Sequence, residues 1–146
     1  MSAIKQNWPL LMLFAIALLG GCGKKPTLEY VVPNGYTGIL KLCGGVADGV
    51  TLTPTNGLIV LTFPSSETLN VKGPLPVFEW HKERARYADG TDIPIYGFDS
   101  NVSNNIISLR GLGVKNDNRE CWYLVGKEGQ MPAAMNQFYG FDVPKR

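Results

Sequence analysis

A mainly β domain is what this sequence predicts: an antiparallel β-sandwich, immunoglobulin-like or transthyretin-like, with one short C-terminal helix. A small β-barrel is the alternative. Three observations predict it. Seventeen Gly and ten Pro punctuate the 146 residues, which suits short strands joined by turns better than a helical bundle. Short β-rich runs recur with a turn signal roughly every eight to twelve residues, the rhythm of a sandwich. The chain is 45% apolar and 18% charged, which supports a core and excludes an intrinsically disordered chain. The length admits one such domain.

The elements follow in order. Residues 28–32 (LEYVV) are β-rich. Pro33, Asn34 and Gly35 then turn the chain, Pro by fixing φ and Asn or Gly by accepting positive φ. Residues 36–43 (YTGILKLC) form the next strand, broken by Gly44 and Gly45. A short strand is expected at 50–53, a turn at 54–57, and a compact apolar strand at 58–63 (LIVLTF). Residues 65–73 read as polar and irregular. Residues 75–87 (LPVFEWHKERARY) read as one long strand whose Pro76 confines its start to a sheet edge. Asp89-Gly90 is a hairpin signal, with the return strand at 92–96 (DIPIY). A polar loop at 99–105 precedes a strand at 106–112 (IISLRGL). Residues 113–120 are polar again, and 121–125 (CWYLV) form the last strand. Met131, Ala134, Met135, Phe138 and Tyr139 recur at helical spacing, with Pro132 suited to a first turn and Gly140 to a stop.

The amino terminus reads as an address. Lys5 precedes an uncharged apolar run at 9–19 (PLLMLFAIALL), short of the roughly 20 apolar residues a spanning helix needs. A cationic start, a short apolar core and small residues after it read as a secretory signal peptide. Leu19-Gly20-Gly21-Cys22 resembles a bacterial lipobox. The resemblance implies cleavage between Gly21 and Cys22, diacylglycerol on the Cys22 thiol and an acyl chain on the new amine. It implies no other cofactor. The organisation is then a signal peptide over 1–21, a lipidated Cys and tether over 22–27, and one domain over 28–146.

Two or more acyl chains hold a protein stably, at about 0.8 kcal/mol per buried methylene. The tether from Gly23 to Thr27 reaches at most about 17 Å, which keeps the domain close to the bilayer. There Lys24 and Lys25 would each gain about 1 kcal/mol from an anionic leaflet. In enteric lipoproteins an Asp after the Cys resembles an inner-membrane retention signal. Gly23 stands here instead, which points to the periplasmic face of the outer membrane in a Gram-negative cell.

Val32-Pro33-Asn34-Gly35-Tyr36-Thr37-Gly38 resembles the opening of a family of uncharacterised bacterial lipoproteins, a VPxGYxG-type motif soon after the lipid Cys. Asn56-Gly57-Leu58, Asp89-Gly90 with Ile93-Pro94, and Trp122-Tyr123-Leu124-Val125-Gly126 echo it in order, over residues 29–139. The family is a domain of unknown function, so the resemblance brings no catalytic residues. Its opening motif needs only local logic: Tyr36 packs and hydrogen-bonds, and Gly38 permits close backbone approach.

Cys43 and Cys121 remain as an even pair in an exported domain, and both sit in strand-like runs. A Cys43–Cys121 disulfide is therefore expected, worth about 4 kcal/mol in the chain-entropy picture. Two buried thiols are the alternative.

Trp80, Lys82, Arg84, Arg86 and Tyr87 form the candidate binding surface, suited to a glycan, a lipid headgroup or a protein. Glu79, His81 and Glu83 would share one face of a strand and could bind a metal or transfer protons. His81 is the only His, and no Cys or Asp stands nearby at ligand spacing, so no metal site is expected. Ser65, Ser66 and Ser108 lack a nucleophile elbow, and Gly44-Gly45 and Gly111-Leu112-Gly113 lack a phosphate-cradling context. No catalytic residue is assigned. A net charge of +2 is no footprint for nucleic acid. The sequence thus predicts a non-catalytic interaction module of the cell envelope. Its partners are the membrane, through the lipid anchor, and an envelope protein or glycan. A structural subunit of an envelope assembly, or a hydrolase using His81, is the alternative.

Overall fold

The first five strands of this chain alternate between two sheets, and the last four form a hairpin in each. The computed structural model describes residues 25–97 and 103–141. Its elements are β1 (Thr27–Val32), β2 (Gly38–Cys43), β3 (Leu58–Thr62), β4 (Thr68–Asn70), β5 (Lys82–Tyr87), β6 (Asp92–Ile93), β7 (Ser108–Lys115), β8 (Glu120–Gly126) and α1 (Met131–Tyr139). The first sheet has the order β3-β1-β5-β6 and the second β4-β2-β8-β7. The protein is mainly β and sandwich-like, with one short C-terminal helix. Among the described residues neither sheet closes into a barrel.

The pairing is mixed, which corrects the antiparallel expectation. β1 pairs in parallel with both β3 and β5, and β2 in parallel with β4. Alternation explains this. The chain leaves β1, descends through β2 in the other sheet, and so re-enters the first sheet in its original direction. Parallel neighbours need such a crossover. Only β5–β6, β2–β8 and β7–β8 are antiparallel.

Strand alternation builds the core. Leu28, Tyr30, Val32, Ile59, Leu61 and Ala85 face inward from the first sheet, and Leu40, Leu42, Leu69, Leu109, Cys121 and Val125 meet them from the second. β1 is central and buried on both faces, which accounts for its apolar sequence. A smaller cluster lies on the outer face of the second sheet, where Leu112, Trp122 and Leu124 pack under Ala134 and Phe138 of α1. The helix ends as expected at Gly140, at φ 77°. A bulge in β7 between Gly111 and Gly113 makes room for it. Gly113 sits at φ 152°, and a Cβ there would lie 2.7 Å from the Phe138 ring.

Several boundaries moved. The strand expected at 50–53 reduces to one bridge, Val50 to Val71. β4 lies inside the stretch read as irregular, from which Leu69 and, just after the strand, Val71 reach the core. The long strand expected at 75–87 begins only at Lys82. Pro76, which lacks an N–H, instead starts a 3-10 turn at Pro76–Phe78. β7 runs to Lys115, past the expected end at Leu112. Part of the 99–105 loop, and Gly21 and Cys22 with the whole signal segment, lie outside the described residues.

The opening motif acts locally. Tyr36 folds over Gly38, where a Cβ would meet its hydroxyl oxygen at 2.7 Å. That hydroxyl donates to the Ile39 carbonyl at 2.8 Å.

Cys43 and Cys121 are both free thiols, which corrects the expected disulfide. Register is the reason. Leu42 opposes Cys121, and Cys43 opposes Glu120, so the two Cys side chains leave opposite faces of the sheet. Such a pair cannot be bridged without moving backbone. Burial pushes the Cys121 thiol up to about 11 and also raises Cys43, where Glu120 adds to the effect. A thiol-alkylating reagent should therefore label half-buried Cys43 slowly and Cys121 only after unfolding, with no prior reduction needed. Labelling that requires a reductant would contradict this register.

Candidate functional site

Alternation along β5 sends its residues in two directions. Lys82, Arg84 and Arg86 point to the outer face of the first sheet, and Glu83, Ala85 and Tyr87 to the inner face. This divides the expected binding surface. Arg84 and Arg86 converge on Glu29 of β1, at 2.8 and 3.3 Å from Nε to Oε1. Tyr87 turns inward and donates its hydroxyl to the Tyr36 carbonyl at 3.2 Å. Their charge and ring are engaged by partners within the domain, although Arg84 itself stays exposed. Trp80 and Lys82 remain, at the end of the molecule where β1 and β5 begin.

The second arrangement at that end is a polar chain. His81 Nε2 lies 3.0 Å from Glu83 Oε1, and its Nδ1 meets the Glu79 backbone carbonyl. Both ring nitrogens are thus engaged. Glu79 contributes its backbone here, since it caps the 3-10 turn and precedes the strand. The Tyr30 hydroxyl donates to Glu83 Oε1 at 2.9 Å and lies 3.4 Å from the Tyr123 hydroxyl. The two tyrosine rings meet edge to face, with centroids 5.2 Å apart. Tyr30 is fully buried, so Glu83 and Tyr123 satisfy a hydroxyl that burial would otherwise penalise.

Burial holds both phenols above the ordinary tyrosine value of 10.0, with Tyr123 and Glu83 raising Tyr30 further. The folded protein keeps protons that the unfolded chain gives up, at Cys121 from about pH 9 and at the tyrosines from about pH 10. Stability is then full below those values and is lost as pH rises, by at most about 1.4 kcal/mol per unit for each group. Urea midpoints should hold steady near neutral pH and fall steeply above about pH 10, with Tyr30→Phe flattening the fall. An unchanged midpoint across that range would place the phenols in water.

Shallow recesses surround this end, and Phe78 lines three of them. One of about 390 Å³ lies against Gly44, Gly45, Leu75 and Arg119. A second, of about 200 Å³, opens beside Glu83, Cys121 and Tyr123. Phe78 is 48% exposed and Trp80 83% exposed, with Lys25 Nζ 4.7 Å from the Trp80 ring centroid. The backbone ties the same region together, as the Lys82 N–H donates to the Pro26 carbonyl at 2.9 Å.

Sequence reasoning missed Glu29, Tyr30, Phe78 and Tyr123. Glu29 carried a signal, as a lone acid in an apolar strand with two arginines two residues apart elsewhere. Arg110 was also unforeseen. It is 2% exposed on the outer face of β7, with its guanidinium 4.0 Å from the Tyr96 ring centroid. Among the described residues its Nε and Nη2 have no hydrogen-bond partner.

No family model and no curated protein matches this chain. Among solved structures, it is similar to a crystal structure described as a "Putative Lipoprotein from Bacillus anthracis". Identity is 16%, 84% of each chain is covered, and the TM-score is 0.45. No described helix is long and apolar enough to cross a membrane.

Proposed function

We propose that this chain is a lipid-anchored protein of the cell envelope whose single domain works by non-covalent contact. The lipobox-like Leu19-Gly20-Gly21-Cys22 supplies the anchor, and Gly23 favours the periplasmic face of an outer membrane. One observation carries the contact reading: an exposed aromatic end, Phe78 and Trp80, lies beside Lys25, three residues after Cys22. A large exposed aromatic with apolar recesses around it is the surface of a contact. An envelope protein or glycan is the partner class this end would meet in addition to the membrane.

The test is fractionation of the full chain beside Cys22→Ala. Wild type should stay with membranes through salt and alkaline washes, and Cys22→Ala should become soluble. Equal membrane retention of the two would overturn the anchor. A second reading rests on the His81–Glu83 pair, which would serve a hydrolase. It requires turnover of an ester or peptide substrate that His81→Ala abolishes. The contact reading predicts no such turnover.

A further inference from the structure

We infer that the Phe78–Trp80 end, with Lys25 and Lys82, is a bilayer-facing surface that seats in the headgroup layer of an anionic phospholipid membrane. The inference rests on the lipid-anchor reading and names the partner of the site described above.

Tether length argues first. Three residue steps separate Cys22 from Lys25, at most about 11 Å of chain. The Lys25 ammonium lies 4.7 Å from the Trp80 ring, and Pro26 is hydrogen-bonded to the start of β5. An acylated Cys22 therefore holds this end, and not the opposite one, at the membrane. Side-chain chemistry argues next. Tryptophan has an apolar body and a polar N–H, which suits the boundary between headgroups and water. Trp80 is 83% exposed, and Phe78 beside it is 48% exposed. Both would otherwise stand in water.

Charge agrees. Glu29 takes up Arg84 and Arg86 farther along β5, whereas exposed Lys25 and Lys82 have no ion-pair partner among the described residues. Two cations at the seat favour anionic lipid. Exposed Glu79 opposes them, and Glu83 is engaged by His81 and Tyr30.

The experiment uses the full lipidated protein, extracted from membranes and reconstituted into phosphatidylethanolamine–phosphatidylglycerol vesicles, with or without shallow brominated lipid. Intact mass is read on the same sample. Trp80 and Trp122 are the tryptophans after cleavage, and Trp122 is buried beneath α1. Brominated lipid should quench wild-type emission, and Trp80→Phe should lose that quenching while melting at the same temperature. Lys25→Glu with Lys82→Glu should weaken it. An acylated mass with no quenching overturns the seat and leaves the anchor standing. An unacylated mass with quenching overturns the anchor but supports the seat. A blue shift of Trp80 produced only by an added envelope protein, and never by vesicles, overturns the bilayer in favour of that protein.

Discussion

Replacing Tyr30 with alanine is expected to destabilise the domain by about 3–5 kcal/mol, the range for removing a large buried ring. Tyr30 is fully buried at the centre of the first sheet, and its ring packs edge to face on Tyr123. Truncation leaves a cavity and removes the donor to Glu83. Tyr30→Phe separates the two contributions. It keeps the ring and removes only the hydroxyl, at an expected cost of about 1–2 kcal/mol. Urea denaturation of the three proteins measures both. A loss below about 1 kcal/mol for the alanine variant would mean that the sheets do not meet through this residue.

Phe138→Ala should cost about 3–5 kcal/mol as well, with a local signature. Phe138 is the main contact of α1 with the second sheet, 5.7 Å from the Trp122 ring and over Gly113. Lys41 and Lys115 lie 4.1 and 4.8 Å from the Trp122 ring centroid. Losing Phe138 opens this cluster to water, so Trp122 emission should shift to the red before global unfolding. An unshifted Trp122 would show that α1 does not hold the outer face.

Much of the β framework was readable in the sequence. Gly-, Pro- and Asn-rich turns mark local backbone needs, and the Met131–Phe138 periodicity with Gly140 marks a helix that packs on one face. Sheet membership was not readable, because pairing depends on where the chain returns after each crossover. The same reason defeated the disulfide. Two cysteines in adjacent strands look bridgeable until register sends them to opposite faces. The candidate surface was half readable. Trp80 and Lys82 stay exposed at one end of the domain, but Arg84, Arg86 and Tyr87 found partners within it. Those partners, Glu29 and Tyr36, lie more than fifty positions away. No local pattern announces such contacts. Tyr30 and Tyr123 look like ordinary strand aromatics until two sheets bring their hydroxyls to 3.4 Å.

Everything proposed for this domain depends on a lipid anchor at Cys22. The intact mass of the protein extracted from membranes tests it most directly. The expected result is the mass of residues 22–146 plus acyl chains, unchanged by reduction because both remaining thiols are free. A full-length mass without acyl chains would contradict it.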